Sequence, residues 1–337
     1  MSNISAYFLQ RERDTLAPYA FFTADTRGRL QKIAPCENRT DFQRDRDRII
    51  HSKSFRRLMH KTQVFFCPVD EHYRTRLTHT LEVTQIARVM ARALRLNEDL
   101  AEAIAMGHDL GHTPFGHAGE DALRKCFDPN FAHNEQSLRV ADILERDGQG
   151  LNLTYEVRDG ILNHTGDGKA CTLEGIIVKY ADRFAYINHD IDDARRAGIL
   201  SLQDIPADIL KVLGREHSER INSMVSALVA QSDGIPEIVF SGEVAEATAE
   251  LRAFLFDHVY RNSAAKAEEK KAKALLITLY NYFVAHPTEM PELYQRRIAQ
   301  DGVERCVSDY IAGMTDRYAI RIYEKLFVPE VWRGNNA

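Results

Sequence analysis

The stretch from His108 to Glu120 concentrates side chains that do chemistry. Three His, one Asp and one Glu lie within these thirteen residues, a mixture that the packing of a helix does not require. His108 and Asp109 are adjacent, and an imidazole nitrogen and a carboxylate oxygen can both bind one divalent ion. Two ligands do not complete a metal site, so the other ligands must come from elsewhere in the chain.

The segment before this stretch predicts a helix with one buried face. Apolar residues between positions 97 and 107 recur at helical spacing, at Leu100, Ala103 and Ile104. His108 and Asp109 therefore lie at the C-terminal end of a buried helix. A turn is then predicted by Gly111, Pro114 and Gly116. The chain can resume a helix at His117.

A third candidate ligand lies on the helix predicted from Leu77 to Leu96. His79 shares an apolar stripe with Val83, Ile86 and Met90. A histidine on such a stripe is commonly a hydrogen-bonded core residue, but the His108-Asp109 pair one helix later favours a ligand. Two antiparallel helices joined by a short link would bring the start of the first close to the end of the second.

A second candidate carboxylate ligand lies within the helix predicted from Thr172 to Asp192. Apolar residues flank Asp182, and an unpaired carboxylate among them is costly unless it meets a cation. From this pattern alone, Asp182 is either a metal ligand or a partner in a salt bridge. Tyr186 and Asp190 follow it by four and eight residues, so the three side chains lie along one side of the helix.

The periodicity of the rest of the chain predicts an all-α fold. Residues 1–40 show little periodicity, which predicts an irregular N-terminal arm. Residues 41–200 are predicted to form the HD catalytic core. Residues 201–337 are predicted to form a helical region that packs on this core, so that the chain is one continuous domain. A small β-hairpin is predicted near residues 61–75. Further helices are expected at 134–146, 154–164, 205–212, 216–231, 243–260, 264–285 and 301–325.

The segment from Asp41 to Leu58 predicts one charged helix with a buried side. Its basic residues alternate with acidic ones beside an apolar stripe. This pattern is typical of a solvated, salt-bridged face, and it would also suit a basic rim over an anion site.

The amino-acid composition limits the classes of protein to which the chain can belong. At 337 residues, 44% apolar and 28% charged, the chain is typical of a globular protein. Its net charge of −5 provides no global attraction for nucleic acid. Five scattered Cys without a Cys-x-x-Cys pair indicate reduced thiols in the cytoplasm. No signal-peptide core and no apolar run of ~20 residues is present, so we expect no membrane partner.

The ordered set His79, His108-Asp109 and Asp182 resembles the HD-domain metal-dependent phosphohydrolases. It resembles more closely the deoxyguanosine triphosphate triphosphohydrolase (dNTPase) family within them. The matching stretches span about residues 40–195, and they begin at Arg44, Phe55, Lys61, Arg74, Gly107, His133 and Tyr180. The resemblance implies an HD-domain helical fold with an additional helical C-terminal region.

The implied reaction is metal-dependent hydrolysis of a deoxynucleoside triphosphate, dGTP or another dNTP, to the deoxynucleoside and inorganic triphosphate. The four residues of the ordered set would hold one divalent ion, and their mixed nitrogen and oxygen donors suit Mg, Mn, Fe, Co, Ni or Zn. In the family the residues matching His117 and Glu120 act in acid/base chemistry, and Glu120 could orient His117 from the same helical face. His133 matches another active-site histidine. His112 has no assigned role beyond a structural hydrogen bond.

The resemblance also implies how substrate would bind. Arg76 and Arg183 match positions near the phosphates, where charge-assisted hydrogen bonds are strongest. Tyr186, Asp190 and Gln63 match positions that meet the sugar, and a ring against C2′ would exclude ribonucleotides. Family members are commonly homo-oligomers, and some respond to a dNTP effector.

Two other functions compete with this interpretation. One is an HD-type nucleotidase or phosphodiesterase acting on a monophosphate or cyclic nucleotide. The other is a nucleotide-sensing or single-stranded nucleic-acid-binding protein with a vestigial metal site. The basic residues favour a polyphosphate over the first, and the presence of His117 and Glu120 beside four ligands argues against the second.

Overall fold

A computed structural model describes residues 4–63, 73–260 and 265–329. Within these ranges the fold is all-α, as predicted, and no β-strand is present. The helices before residue 200 are α1 (Ile4–Thr15), α2 (Asp41–Ile50), α3 (Lys53–Arg57), α4 (Arg76–Ala93), α5 (Glu98–Gly107), α6 (His117–Cys126), α7 (His133–Arg139), α8 (Tyr155–Leu162) and α9 (Leu173–Arg196). The described helices include none that is long and apolar enough to cross a bilayer.

The region after residue 200 is also helical. Its helices are α10 (Ala207–Leu213), α11 (His217–Ser232), α12 (Gly242–Leu255), α13 (Ala265–Ala285), α14 (Val303–Ala312) and α15 (Asp316–Phe327). Short helical segments lie at Thr23–Asp25, Leu58–His60, Val140–Leu144, Glu145–Gly148, Phe256–Tyr260, Pro287–Glu289, Glu292–Gln295 and Ile298–Asp301.

Helix α5 lies at the centre of the larger hydrophobic core. Every residue from Leu100 to Gly107 is buried, and α2, α4, α8 and α9 pack around this helix. The Asn97 side chain caps its first turn by accepting a hydrogen bond from Leu100 N at 3.2 Å. A Cβ on Gly107 would lie 2.5 Å from Ile161 Cδ1, so glycine permits the close approach of α8. The last turn of α5 is therefore enclosed on several sides.

The region after residue 200 packs on this core in two places. Helices α10, α11 and α12 extend the larger core, to which they contribute Leu210, Met224 and Leu251. Helices α13, α14 and α15 form a second apolar cluster with α6, and its buried members include Leu123, Leu276 and Ile311. The C-terminal helices thus cover the segment that begins at His117.

The N-terminal arm differs from the prediction. Residues 4–15 form helix α1, whereas an irregular segment was expected. Helix α1 has no buried residue, so its sequence lacks the apolar periodicity from which the other helices were predicted. Most of residues 16–40 are irregular apart from the short helical turn already noted.

Two long predicted helices are interrupted by capping residues. The segment from Asp41 to Leu58 divides at Ser52, whose side chain accepts from Phe55 N at 3.1 Å and begins α3. The helix predicted over 301–325 divides at Thr315, which caps α15 by accepting from Tyr318 N at 3.3 Å. Ser and Thr are preferred N-caps, so each break has a local cause in the sequence.

The predicted hairpin is described only at its two ends. Thr62 and Thr75 form an isolated antiparallel bridge, and residues 64–72 between them lie outside the described residues. The bridge brings Gln63 and the start of α4 close together, beside the loop that precedes His117.

Candidate functional site

Three helices bring two imidazoles and a carboxylate together in the interior. His79 comes from the first turn of α4, His108 follows α5, and Asp182 lies in the middle of α9. His79 Nε2 is 3.1 Å from Asp182 Oδ1 and 3.4 Å from His108 Nε2, and His108 Nε2 is 4.0 Å from Asp182 Oδ1. Both histidines are 1% exposed. The structure therefore brings together three of the four predicted metal ligands.

Asp109, the fourth predicted ligand, borders this group. Its Oδ1 is 3.7 Å from His108 Nε2 and its Oδ2 is 3.9 Å from His79 Nε2. The same Oδ2 accepts a hydrogen bond from Arg76 Nη1 at 2.8 Å. Asp109 is thus shared between the histidines and a buried guanidinium.

The surroundings of buried Asp109 and partly buried Asp182 favour the ionised form of both carboxylates. Burial disfavours the charged form of Asp109, but Arg76 and the neighbouring histidines outweigh burial and lower its pKa well below the usual range. Burial likewise opposes ionisation of Asp182, and a hydrogen bond with His79 together with nearby positive charge lowers its pKa. The site therefore offers anionic oxygens to a cation.

The donor set fits a divalent metal ion. His108 Nδ1 lies 2.6 Å from Ala105 O, a carbonyl that can only accept, so Nδ1 carries the proton in neutral His108. The lone pair of Nε2 then faces His79 and Asp182. Metal-binding histidines commonly donate their other ring nitrogen to a carbonyl in this way, which fixes the tautomer and the ring orientation.

A second group of potential ligands adjoins the first and includes a histidine that the sequence analysis missed. Ligand atoms of Asp109, His133 and His164 all lie within 4.8 Å of one another. His164 follows α8 as His108 follows α5, and its Nδ1 lies 2.7 Å from Ile161 O, three residues earlier. His108 was identified by the density of His, Asp and Glu around it, a signal that His164 lacks. The position of His164 just after a helix with a buried face, which His108 shares, could have identified it.

Glu120 orients His133, whereas the sequence predicted that it would orient His117. Its Oε1 accepts from His133 N at 3.1 Å and lies 3.3 Å from His133 Nδ1. It also accepts from Arg124 Nη2 at 2.9 Å. Burial opposes ionisation of Glu120, but the bond to His133 and the charge of Arg124 lower its pKa to about 2. The spacing of 117 and 120 places both on α6, yet the carboxylate reaches across to α7.

His117 lies at the exposed edge of the site, in the first turn of α6. Its ring centroid is 6.0 Å from that of His112, whose ring stacks on His133 at 4.7 Å. Desolvation by the surrounding residues, followed by the charge of Arg76, lowers the pKa of His117. His117 is therefore the histidine of this loop that a molecule from solvent can reach.

The predicted substrate-binding residues lie around the two groups of ligands. Arg76 is buried beside Asp109, and the guanidinium of Arg183 lies 5.9 Å from the centroid of the Tyr180 ring. Tyr186 is half-buried, and this burial raises the pKa of its hydroxyl group. Buried Asp190 has its Oδ1 3.4 Å from His189 Nε2. The Oε1 atom of Gln63 is buried without a hydrogen-bond partner among the described residues.

The pair formed by His189 and Glu82, next to His79, was also not predicted from the sequence. His189 is fully buried, its ring centroid lies 5.0 Å from that of His79, and its Nδ1 lies 2.9 Å from Glu82 Oε2. His189 packs edge-on against the His79 ring, so it supports the position of that ring from the side of α9.

The loop before His117 is tied to the C-terminal helices by Asp316. Asp316 Oδ1 accepts from Phe115 N at 2.9 Å, and its Oδ2 accepts from Thr62 N at 2.9 Å. Phe115 has φ 64° and Gly116 has φ 58°, so the turn includes a non-glycine residue in the left-handed region. Such a conformation is strained and persists only where neighbours hold it. Asp316 therefore fixes the turn that places His117.

Buried Lys61 makes a second tie between the same elements. Its Nζ donates to His112 O and, at 2.8 Å, to Ala312 O at the end of α14. Burial lowers the pKa of Lys61 to about 7, and Arg57 adds to that effect. Both ends of the loop between His112 and His117 are thus held by residues outside it.

Comparison with known families agrees with this arrangement. The sequence model of the HD domain matches residues 76–187, which contain all four predicted ligands. The model of the phosphohydrolase-associated domain matches residues 238–325. The fold and the site therefore define an HD-domain phosphohydrolase.

Individual relatives narrow the assignment. A deoxyguanosinetriphosphate triphosphohydrolase-like protein of Caldanaerobacter subterraneus subsp. tengcongensis is 56% identical over 325 residues, 96% of each chain. Proteins of the same description from Clostridium tetani and Desulfatibacillum aliphaticivorans are 46% and 48% identical, over 95% and 96% of this chain and 95% and 97% of theirs. The chain belongs to this deoxyguanosinetriphosphate triphosphohydrolase-like family, as its resemblance to the dNTPases indicated.

A solved structure shares the fold. A hypothetical protein from Aquifex aeolicus superposes with a TM-score of 0.50 at 16% identity, over 85% of this chain and 68% of its own. At that identity the likeness concerns the architecture of the helices.

Substituting Asp316 tests whether the C-terminal helices position the active-site loop. Asp316→Ala leaves Phe115 N and Thr62 N without their acceptor, so we expect turnover of a good substrate to fall roughly 10- to 100-fold. Steady-state kinetics well below the unfolding temperature would measure the loss. Asp316→Asn keeps an acceptor oxygen and should recover part of it.

Thr315→Ala is the matched control, because it removes the cap of the same helix without touching the loop. Both Ala variants should lose about 1–2 kcal/mol of stability or somewhat more. Equal kinetic losses in the two variants would contradict a positioning role for Asp316.

Proposed function

We propose that this protein hydrolyses deoxynucleoside triphosphates to the deoxynucleoside and inorganic triphosphate in a metal-dependent reaction. The observation that carries the proposal is the convergence of His79, His108 and Asp182 on one buried point, with Asp109 and Arg76 beside them. The family membership supports the same activity, since relatives that match nearly the whole chain are described as triphosphohydrolase-like.

His79, His108, Asp109 and Asp182 would hold the divalent ion. Their nitrogen and oxygen donors suit Mg, Mn, Fe, Co, Ni or Zn. When bound, such an ion supplies Lewis-acid polarisation of a phosphate oxygen and acidifies a water molecule. The protein itself would keep the two carboxylates ionised. The Ala105 carbonyl would fix the tautomer of His108.

Arg76 and Arg183 would bind the phosphates. Arg76 is held at Asp109 and at Thr62 O, so its guanidinium is oriented before substrate arrives. A fixed guanidinium stabilises charge that develops on phosphate oxygens without having to reorganise during the reaction. Arg183 follows Asp182 on α9 and would add a second cation at the same edge of the site.

His117 would transfer a proton at the scissile bond. Water attacks the α-phosphorus, the bond between that phosphorus and the 5′-oxygen breaks, and the departing oxygen takes up a proton. His117 is the histidine of the loop that solvent reaches, which suits contact with a bound substrate. Glu120 acts on His133, whose ring it orients, and so contributes as a positioning residue.

The sugar would lie along α9. Tyr186 and Asp190 follow Asp182 at one-turn intervals, so a nucleotide whose α-phosphate lies near Asp182 has its sugar beside them. The Tyr186 ring would stand against C2′ and exclude a 2′-hydroxyl, and Asp190 would accept from the 3′-hydroxyl. Gln63 would also contact the sugar.

Product analysis tests the proposed reaction. Purified protein is incubated with each dNTP, singly and in mixtures, with Mn²⁺ or Mg²⁺, and the products are separated by ion-exchange chromatography. We expect equal amounts of deoxynucleoside and intact triphosphate, with ribonucleoside triphosphates hydrolysed at least about tenfold more slowly. Activity confined to mixtures would indicate the expected dNTP effector.

Other products would contradict the proposal. Monophosphate with pyrophosphate, or single phosphates, would indicate a nucleotidase. No turnover together with single-strand binding that Asp109→Ala leaves unchanged would indicate a nucleic-acid-binding protein.

Tyr186→Ala should narrow the difference between the hydrolysis rates of deoxy- and ribonucleoside triphosphates, because the proposed steric block is then removed.

Two substitutions separate metal binding from proton transfer. His117→Ala should keep the metal and lose roughly 10²- to 10⁴-fold in kcat, because the proton transfer at the scissile bond is lost. Asp109→Ala should lose both the metal and activity. Kinetics and metal analysis of the same preparations measure the two effects.

The surface histidine His286 provides the control, and His286→Ala should behave as wild type in both measurements. Full activity of His117→Ala on a good substrate would show that His117 has no role in proton transfer.

A further inference from the structure

His79 differs from His108 in how its ring is held. Metal-binding histidines commonly donate their second ring nitrogen to an acceptor, and His108 does so to the Ala105 carbonyl. His79 Nε2 faces Asp182 Oδ1 at 3.1 Å, but His79 Nδ1 is buried without a hydrogen-bond partner in the part of the chain that the structure describes. The orientation of the His79 ring must therefore come from packing.

The ring of His189 provides this packing. His189 lies on α9, about two turns after Asp182, and it is fully buried. Its ring centroid lies 5.0 Å from that of His79, and the two ring planes meet at 85°. Because buried side chains interdigitate and leave few voids, the orientation of His79 depends on that of His189.

Glu82 determines the tautomer of His189. Glu82 Oε2 lies 2.9 Å from His189 Nδ1. Burial opposes ionisation of Glu82, but its hydrogen bonds with His189 and Arg74 lower its pKa to about 2, so the carboxylate can only accept. Burial also lowers the pKa of His189 and keeps its ring neutral. The single proton of this ring therefore lies on Nδ1, and the ring cannot turn over without losing the bond to Glu82.

Arg74 in turn holds Glu82. Arg74 Nε donates to Glu82 Oε1 at 2.9 Å, and Arg74 Nη1 donates to Asp193 Oδ1 at 3.0 Å. Asp193 is buried on α9, one turn after His189. The contacts thus form a closed ring across the interface between α4 and α9, from Asp193 through Arg74 and Glu82 to His189. These two helices carry His79 and Asp182.

We propose that Glu82 and His189 are positioning residues for the proposed reaction, because they hold the His79 ring with its Nε2 directed at Asp182. Without the Glu82 carboxylate, His189 can change its tautomer, and the His79 ring loses the neighbour that fixes it. Residues that orient a metal ligand commonly account for roughly 10- to 100-fold in metal affinity. The inference rests on the proposed function, which makes His79 a metal ligand.

The tautomer of His189 is the first readout, and it requires no metal. The Glu82 side chain is 33% exposed, so Glu82→Gln leaves the core packing intact. Arg74 can only donate, so it takes the new amide oxygen and the amide nitrogen faces His189. His189 must then accept at Nδ1 and carry its proton on Nε2.

Nitrogen-15 NMR of the histidine side chains in the full-length, metal-free protein measures this change. Wild type should show His189 protonated on Nδ1, and Glu82→Gln should show it protonated on Nε2. The signal that disappears in His189→Leu identifies the residue.

Equilibrium dialysis with Mn²⁺, in the absence of nucleotide, provides the second readout. Glu82→Gln should raise the Mn²⁺ dissociation constant roughly tenfold or more, and His189→Leu at least as much. His217→Ala is the matched control, because it removes another contact between a histidine and a carboxylate of α9, that of His217 Nδ1 with Asp192 Oδ2 at 2.8 Å. This control should bind Mn²⁺ as wild type does. Circular dichroism verifies that each variant is folded.

Wild-type Mn²⁺ affinity in Glu82→Gln, or a His189 ring that stays protonated on Nδ1 in that variant, would overturn the inference. An equal loss of affinity in His217→Ala would also overturn it, because a general loosening of α9 would then explain the effect. His79→Ala separates the inference from the proposed function. If His79→Ala binds Mn²⁺ as wild type does, the ligand assignment is wrong. If His79→Ala loses Mn²⁺ while Glu82→Gln keeps full affinity, the positioning role alone is wrong.

Discussion

Two ionised carboxylates beside the end of α5, those of buried Asp109 and partly buried Asp182, constrain the rest of the structure. A buried charge is costly unless cations or hydrogen-bond donors surround it. Asp109 accepts from Arg76, and Asp182 contacts His79. The helices that carry these partners converge on the end of α5, and the C-terminal helices pack against the segment that follows. Arg76 and His79 thus offset the cost of keeping these two carboxylates ionised.

The scaffold provides this arrangement through close packing around one helix. Helix α5 is buried along most of its length, so His108 and Asp109, which follow it, lie at a fixed position in the interior. The loop from His112 to His117 then returns to the surface through a strained turn. Asp316 and Lys61 hold that turn from outside, which makes the region after residue 200 part of the active site's support. The site is therefore held rigidly, and His117 is its exposed histidine.

Local patterns in the sequence predicted most of the core. The adjacency of His108 and Asp109, together with the helical spacing of His79 and Asp182, predicted four candidate ligands. The structure places His79, His108 and Asp182 close together, with Asp109 beside them. The all-α class followed from periodicity, and the family followed from the ordered motifs. Helix α1 was missed because none of its residues is buried, so it has no apolar stripe to detect.

Contacts between distant elements could not be predicted from spacing. His164 joins His133 only because α7 and α8 pack together. Glu120 was matched to His117 because both lie on α6, yet its carboxylate crosses to α7. Asp316 reaches Phe115 across 201 positions of the chain. Each of these depends on tertiary packing, which a single sequence does not encode in its local pattern.

The proposed function requires that water attacks the α-phosphorus at the site formed by these ligands. Hydrolysis of a dNTP in water enriched in oxygen-18, followed by mass spectrometry of both products, tests it most directly. One labelled oxygen should appear in the triphosphate and none in the deoxynucleoside. Label in the 5′-hydroxyl of the deoxynucleoside would mean that water attacks carbon, and the proposed reaction would then be wrong.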